Sequence, residues 1–297
     1  MPSESTTHSL NAYTCCLIES LEGVIPEPGL EWLQQAIQTI AESGQPDDDL
    51  GFLSAIAKRK LGALPLNKAR SIDTTFSPLD IRHWNSSEAG RLVLLMTAIE
   101  RNPDQAEARI SAYHQMGDEA ERIALVRGLI FFAPAEYLTH LALEAGRTNS
   151  LELLSALTLD NPYPASFYSE SSFNQMVLKG LFLGLAIERV VGIEQRANPE
   201  LTRMCENYVE ERELAGRSVP TDIWLAIGPF ASDLGRRQML NYLGHEEVGH
   251  RYYTAMALSQ RLAQDPGLAS ALRKRLDHET VPMISKLLQE CLQAATN

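Results

Sequence analysis

Several groups of residues in this 297-residue chain have types and spacings that suggest chemistry. "HEEVGH", from His245 to His250, resembles the zinc-protease arrangement, in which two histidines one helical turn apart hold one metal. Here the spacing is five, which on a continuous helix turns the second side chain about 140° from the first. His245 is then followed on one stripe by Val248, Gly249, Tyr252, Ala255, Met256 and Ser259, while His250 joins Thr254 and Arg261 on the polar side. The expected role of His245, Glu246 and Glu247 is a helix N-terminus, where the dipole favours the two acids, and no metal site is assigned. "DDD", Asp47 to Asp49, follows Pro46 and precedes an apolar run, so it reads as a helix first turn; no second acidic pair completes a magnesium site. Cys15, Cys16, Cys205 and Cys291 lack metal-ligand spacing and read as reduced thiols. The sequence contains no glycine-rich phosphate loop, nucleophile elbow or dinucleotide fingerprint, so no cofactor is implied.

The most unusual polar residues lie in "NPYPASFYSESSFNQMVLKGLFLG", Asn161 to Gly184. Placed on a helical wheel, Phe173, Met176, Val177, Leu178, Leu181, Phe182, Leu183 and Leu185 cover most of the circumference, which predicts a central helix packed on several sides. Asn174 then falls between leucines, and Gln175 and Lys179 share one narrow polar sector. Each calls for a partner, because a buried amide or ammonium without one costs a few kcal/mol. Gly180 and Gly184 fall near Val177 and would admit another backbone or a ligand. In the following helix Leu201, Met204, Cys205, Tyr208 and Val209 form the apolar stripe, which continues into Arg212; that guanidinium calls for a carboxylate, carbonyls or an anionic ligand, with Glu194, Glu211 and the 161–169 turn nearby in sequence. Asn174, Gln175, Lys179, Tyr208, Glu211 and Arg212, edged by Tyr163 and Phe167, are therefore either an internal polar network or the lining of a pocket for a small polar or anionic molecule.

The elements that must position these residues are helical. The apolar residues recur with a 3.6-residue period and strand-like alternation is almost missing, so the fold class is all-α. Helices are expected near 8–22, 29–43, 48–61, 86–101, 103–116, 118–132, 134–147, 149–159, 171–186, 199–215, 221–229, 232–243, 245–264, 267–277 and 279–294. Asn102 before Pro103, Asn198 before Pro199 and Asp265 before Pro266 mark their starts. Short paired helices over 118–160 and 221–264 suggest an α-solenoid-like stack of degenerate hairpins, of HEAT- or TPR-like texture. The expected organisation is an N-terminal helical unit at 1–62, an irregular linker or loop at 63–85, and a main helical-repeat domain at 86–297. A net charge of −12 and a pI near 5.1 argue against nucleic acid and anionic membranes as partners. Without a secretory signal pattern or an 18-residue apolar run, the sequence reads as cytoplasmic, with no direct membrane span.

"DNPYPASFYSESSFNQMVLKGLFLG" followed by "RVVGIEQRANPELTRMCENYVEERELAGRSVPTDIW" resembles the EboA family of bacterial metabolite-traffic proteins, most strongly over 160–224. The resemblance implies a cytoplasmic companion of other products of a gene cluster that makes or exports a small lipid-like or aromatic metabolite, with no catalytic residues established. It adds weight to Asn174, Gln175, Lys179, Arg196, Arg203, Glu211, Arg212 and Arg217 as shared positions; Glu213 and Leu214 depart from the family pattern. The expected function is a non-catalytic helical-repeat protein that binds a small metabolite or a co-encoded partner protein and assists traffic or export of the pathway product. The alternative is an enzyme that uses Lys179, Glu211 and Arg212 on a prenylated or cyclitol-like intermediate.

Overall fold

The computed structural model describes residues 4–294, with side chains from Leu10 onward. Among the described residues there are sixteen α-helices and no strand. Two compact units divide after Tyr168.

The first unit contains α1 (Glu4–Glu22), α2 (Glu27–Glu42), α3 (Pro46–Leu61), α4 (Ser86–Arg101), α5 (Ala106–Met116), α6 (Glu119–Arg127), α7 (Glu136–Ala145), α8 (Leu151–Thr158) and α9 (Pro162–Phe167). Capping sets their starts. Asn85 accepts from the N–H groups of Ser87 and Glu88 while Glu88 accepts from the N–H of Asn85, and Asp118 and Glu121 repeat that reciprocal pair at α6. The run Asp47 to Asp49 lies in the first turn of α3, as expected, and Asp47 pairs with Arg109.

Every residue of α4 from Ser86 to Ile99 is buried, because α1, α2, α3 and α6 all pack on it. The central helix of this unit is therefore α4, whose sequence is apolar enough to be wrapped and whose polar groups are all spoken for: Arg91 donates to the Ser54 carbonyl and the Ser87 hydroxyl, and Glu88 lies 3.3 Å from Arg127. A hub of this kind differs from a solenoid, in which each repeat touches only its neighbours. It also ties the expected 1–62 unit to α4 inside one compact body. Residues 62–85 form no helix and carry two isolated bridges, and they bury Leu66, Ile72, Leu79, Ile81 and Trp84.

The second unit contains α10 (Glu170–Phe182), α11 (Pro199–Leu214), α12 (Trp224–Ile227), α13 (Asp233–Tyr242), α14 (Val248–Ser259), α15 (Leu268–Leu276) and α16 (Pro282–Ala294). Here helices pack mainly on near neighbours in sequence, α11 on α12 and α13, and α14 on α12, α13, α15 and α16. Glu206 of α11 is buried and accepts from the backbone N–H and hydroxyl of Ser232, which caps α13. No helix is long and apolar enough to cross a membrane among the described residues.

Because one amide caps α4 twice over, Asn85→Ala should lower the urea unfolding free energy by about 1 kcal/mol, while Asn85→Asp, which keeps the acceptor, should stay close to the parent; equal losses in both would remove capping as the cause.

Candidate functional site

α10 and α11 are held together at their N-terminal ends by an amide pair. Asn198, the N-cap of α11, accepts from the Leu201 N–H and from the Asn174 amide at 3.0 Å, and donates back to Asn174 at 2.9 Å. Both side chains are buried, and Asn198 also donates to the Arg196 carbonyl at 3.1 Å. The Arg196 guanidinium lies 4.8 Å from the Phe173 ring centre. The demand that Asn174 makes in the sequence is thus met by a reciprocal amide pair, from a residue that the sequence reading assigned only to capping.

At the other end the two helices terminate side by side. The Tyr208 hydroxyl lies 3.5 Å from the Leu181 carbonyl, so α10 and α11 run in the same direction and finish together. Each ends in a Schellman motif: Leu185 donates to the Gly180 carbonyl across Gly184 (φ 76°), and Arg217 donates to the Arg212 carbonyl across Gly216 (φ 64°). Only glycine takes that left-handed conformation without strain.

Between these ends opens a cleft of ≈ 400 Å³, walled by Leu181 and Phe182 at the end of α10, by Gly184 and Leu185 after it, by Arg212, by the 218–222 segment, and by Tyr253 of α14. Arg212 donates through Nε to the Ser218 carbonyl and through Nη1 to the Tyr208 hydroxyl at 3.2 Å, with its guanidinium 5.6 Å from the Tyr208 ring centre. No carboxylate pairs with it among the described residues. Asp222, by contrast, is 7 % exposed at the cleft wall and accepts the Glu188 N–H at 3.2 Å. Burial pushes its carboxyl above the ordinary range, against the N–H groups of Glu188 and Ile187, which favour the charged form. Glu188 lines the same cleft and is exposed.

Of the residues singled out in the sequence, Arg212 lines this cleft and Tyr208 stands behind it. Lys179 is half-buried in the last turn of α10, whereas Gln175, Glu211 and Arg217 are exposed, and Arg203 is an exposed ion-pair partner of Glu200 at 2.6 Å. Glu194 accepts from Gln260 at 2.8 Å. Tyr163 and Phe167 belong to the first unit: Tyr163 is buried with its hydroxyl 3.1 Å from Thr139, and Phe167 packs on Tyr163 and Phe76. The expectation of a helix closed in on all sides is corrected for α10. It stops at Phe182, so Phe182 (71 % exposed) and Leu183 (42 %) leave the core at its end, and Gln175 reaches solvent. Asp222, Glu188, Ser218, Thr221 and Tyr253 were missed; the one signal for Asp222 is an acid set directly before the apolar run "IWLAI".

The histidines of "HEEVGH" also depart from the reading. α14 begins only at Val248, so His245 sits in the preceding turn and His250, far from facing solvent, is 2 % exposed. Their rings lie 4.6 Å apart, and His245, Glu247 and His250 present ligand atoms within 4.8 Å of one another. The donor set nevertheless does not suit a metal. Trp224 Nε1 donates to His250 Nδ1 at 3.0 Å and the Glu247 N–H donates to His245 Nδ1 at 3.1 Å, which leaves the proton of each neutral ring on Nε2. His250 also bonds the backbone of Val219, so both its nitrogens are used. Burial, then the nearby His245, holds its pKa down to about 4.

The EboA family, described as metabolite traffic protein EboA, matches residues 14–228, and the chain belongs to it. No curated protein and no solved structure matches the chain.

Two outcomes test this geometry. Asn174→Ala strips the buried Asn198 amide of its partner and should cost about 1–3 kcal/mol in denaturant unfolding; Asn174→Ala with Asn198→Asp, which keeps the cap but removes the orphaned N–H groups, should recover part of the loss. His250, depressed from 6.5 to about 4, takes up its proton in the unfolded chain before the folded one. Its contribution is intact above pH 6.5 and is lost as the pH falls toward 4, so melting temperature should drop across that window, and His250→Gln should flatten the drop.

Proposed function

We propose that this member of the EboA family binds a small metabolite in the cleft where α10 and α11 end, and hands it to a protein of the same pathway without transforming it. The observation that carries the reading is the cleft itself: an opening of ≈ 400 Å³ with charged, hydroxyl and aromatic groups on its walls, most of them inside the family-matched segment. Its polar groups are fixed by backbone bonds rather than arranged as a nucleophile with a base, which favours holding over turnover. On this reading the partner is a co-encoded pathway protein, and the traffic is that of the pathway product. The enzymatic alternative receives less support, because Glu211 is exposed and the Arg212 guanidinium is already bonded to Ser218 and Tyr208.

Protein purified from its own host should carry a bound small molecule that denaturing extraction and mass spectrometry detect. Ser218→Trp, which puts a bulky ring into the cleft from an exposed position, should lose that molecule while keeping its helical circular-dichroism signal and melting temperature. Retention of the same molecule by the variant would move the binding elsewhere.

A further inference from the structure

We propose that the cleft recognises its ligand through a positively charged nitrogen, an ammonium or amidinium group, seated against Asp222 and Glu188. The inference rests on the proposed cleft reading and names the ligand class for that site.

The charges lining the cleft are unequal in number, one guanidinium, Arg212, against two carboxylates, Asp222 and Glu188. Its cation, Arg212, is held in place by protein: Nε donates to the Ser218 carbonyl, Nη1 to the Tyr208 hydroxyl, and the ring of Tyr208 lies against the guanidinium. These bonds close the turn from α11 into the 218–222 segment, which is sufficient reason for the residue to be there. Its buried anion likewise meets only neutral groups. Asp222 is more than nine-tenths buried, meets backbone N–H groups of Ile187 and Glu188, and among the described residues has no Lys, Arg or His in ion-pair contact. A second carboxylate, Glu188, borders the same opening.

Helix polarity adds to the imbalance. Two parallel helices present their C-terminal ends here, and although the closing turns and the Tyr208 hydroxyl engage most of the last carbonyls, the aligned peptide dipoles leave a partial negative charge at each end. Antiparallel packing would have cancelled that field, whereas the amide pair at the N-terminal ends and the Tyr208–Leu181 contact at the other impose the parallel arrangement. The single cation does not offset two carboxylates and two helix ends. Phe182 and Tyr253, also on the walls, supply ring surface of the kind a cationic group favours.

The test uses the full chain with named probes at constant ionic strength: putrescine, tyramine and choline as cations, citrate and inorganic phosphate as anions, measured by calorimetric titration and thermal shift. At least one cation should bind and raise the melting temperature, with both anions inert. Glu188→Gln, at an exposed rim position whose backbone N–H rather than side chain contacts Asp222, should weaken that cation by about tenfold or more, as loss of a charge-assisted bond predicts. Asp222→Asn should do the same, and Glu188→Gln decides the matter if Asp222→Asn does not fold. Binding of an anion that Arg212→Gln abolishes would overturn the cationic assignment while leaving the cleft reading intact. Binding of no probe, with a host molecule still lost from Ser218→Trp and found to lack a basic nitrogen, would overturn it equally. Cation binding unchanged in Glu188→Gln would also refute it, and retention of the host molecule by Ser218→Trp would remove the cleft reading with it.

Discussion

Each α-helix leaves four N–H groups and four carbonyls without partners inside the helix, and satisfying them is the constraint on which this fold depends. A chain divided into many short helices has many such ends, several of them buried. Most of the polar side chains that look like chemistry in the sequence are consumed there. Asn85, Asp118, Asn161, Asn198 and Ser232 each accept from the first N–H groups of a helix. Asn161 further donates to the carbonyls of Val126 and Ala156, and so ties three segments of the first unit with one amide. Even Arg212 spends its Nε on a carbonyl just beyond the helix that carries it.

The same constraint produces the cleft. Parallel neighbours need a long crossover, here residues 183–198, and their like-directed dipoles repel slightly. What holds α10 and α11 in that arrangement is the amide pair at their starts, where Asn198 serves its own helix and Asn174 at once. The ends are then fixed by length and by glycine. Gly184 and Gly216 turn the chain away sharply after the last helical carbonyls, and the space left between the two departing segments is the opening that Phe182, Arg212 and Asp222 share.

Helix positions were legible because their punctuation is local: an Asn before Pro199 and an apolar stripe every three or four residues. Two local signals still misled. Pro162 and Pro164 in "NPYPA" suggested a bare turn, although proline fits the first turn of a helix, where α9 begins. "HEEVGH" suggested an unbroken helix, whereas the chain stays irregular through Glu246 and starts α14 at Val248. The candidate site was only partly legible. Arg212 stood out because it extends an apolar stripe, but its partners are a backbone carbonyl and a hydroxyl, and no sequence pattern encodes a carbonyl. Asp222 and Tyr253 reach the cleft from separate elements, so their proximity is a tertiary fact. A wheel counts how much of a helix circumference is apolar and says nothing of where the helix stops; for that reason Phe182 and Leu183 were placed in a core that they leave.

Fixing charged groups by backbone bonds also bears on what kind of site this cleft makes. A side chain that must be ordered when a ligand arrives gives up rotamer entropy on binding, about 0.5–1.5 kcal/mol for a long one. Asp222 and Arg212 are already ordered, by N–H groups on one side and by a carbonyl and a phenol on the other. Such groups discriminate by mismatch: a ligand atom of the wrong sign leaves a buried carboxylate facing repulsion that it cannot rotate away from. Neither group, though, is paired with a side-chain base: Asp222 accepts from backbone N–H groups, and Arg212 donates to a carbonyl and a phenol. The arrangement is rigid where recognition needs rigidity and poor in the paired donors and acceptors that bond-breaking requires, and that is the physical ground on which the proposed holding role rests.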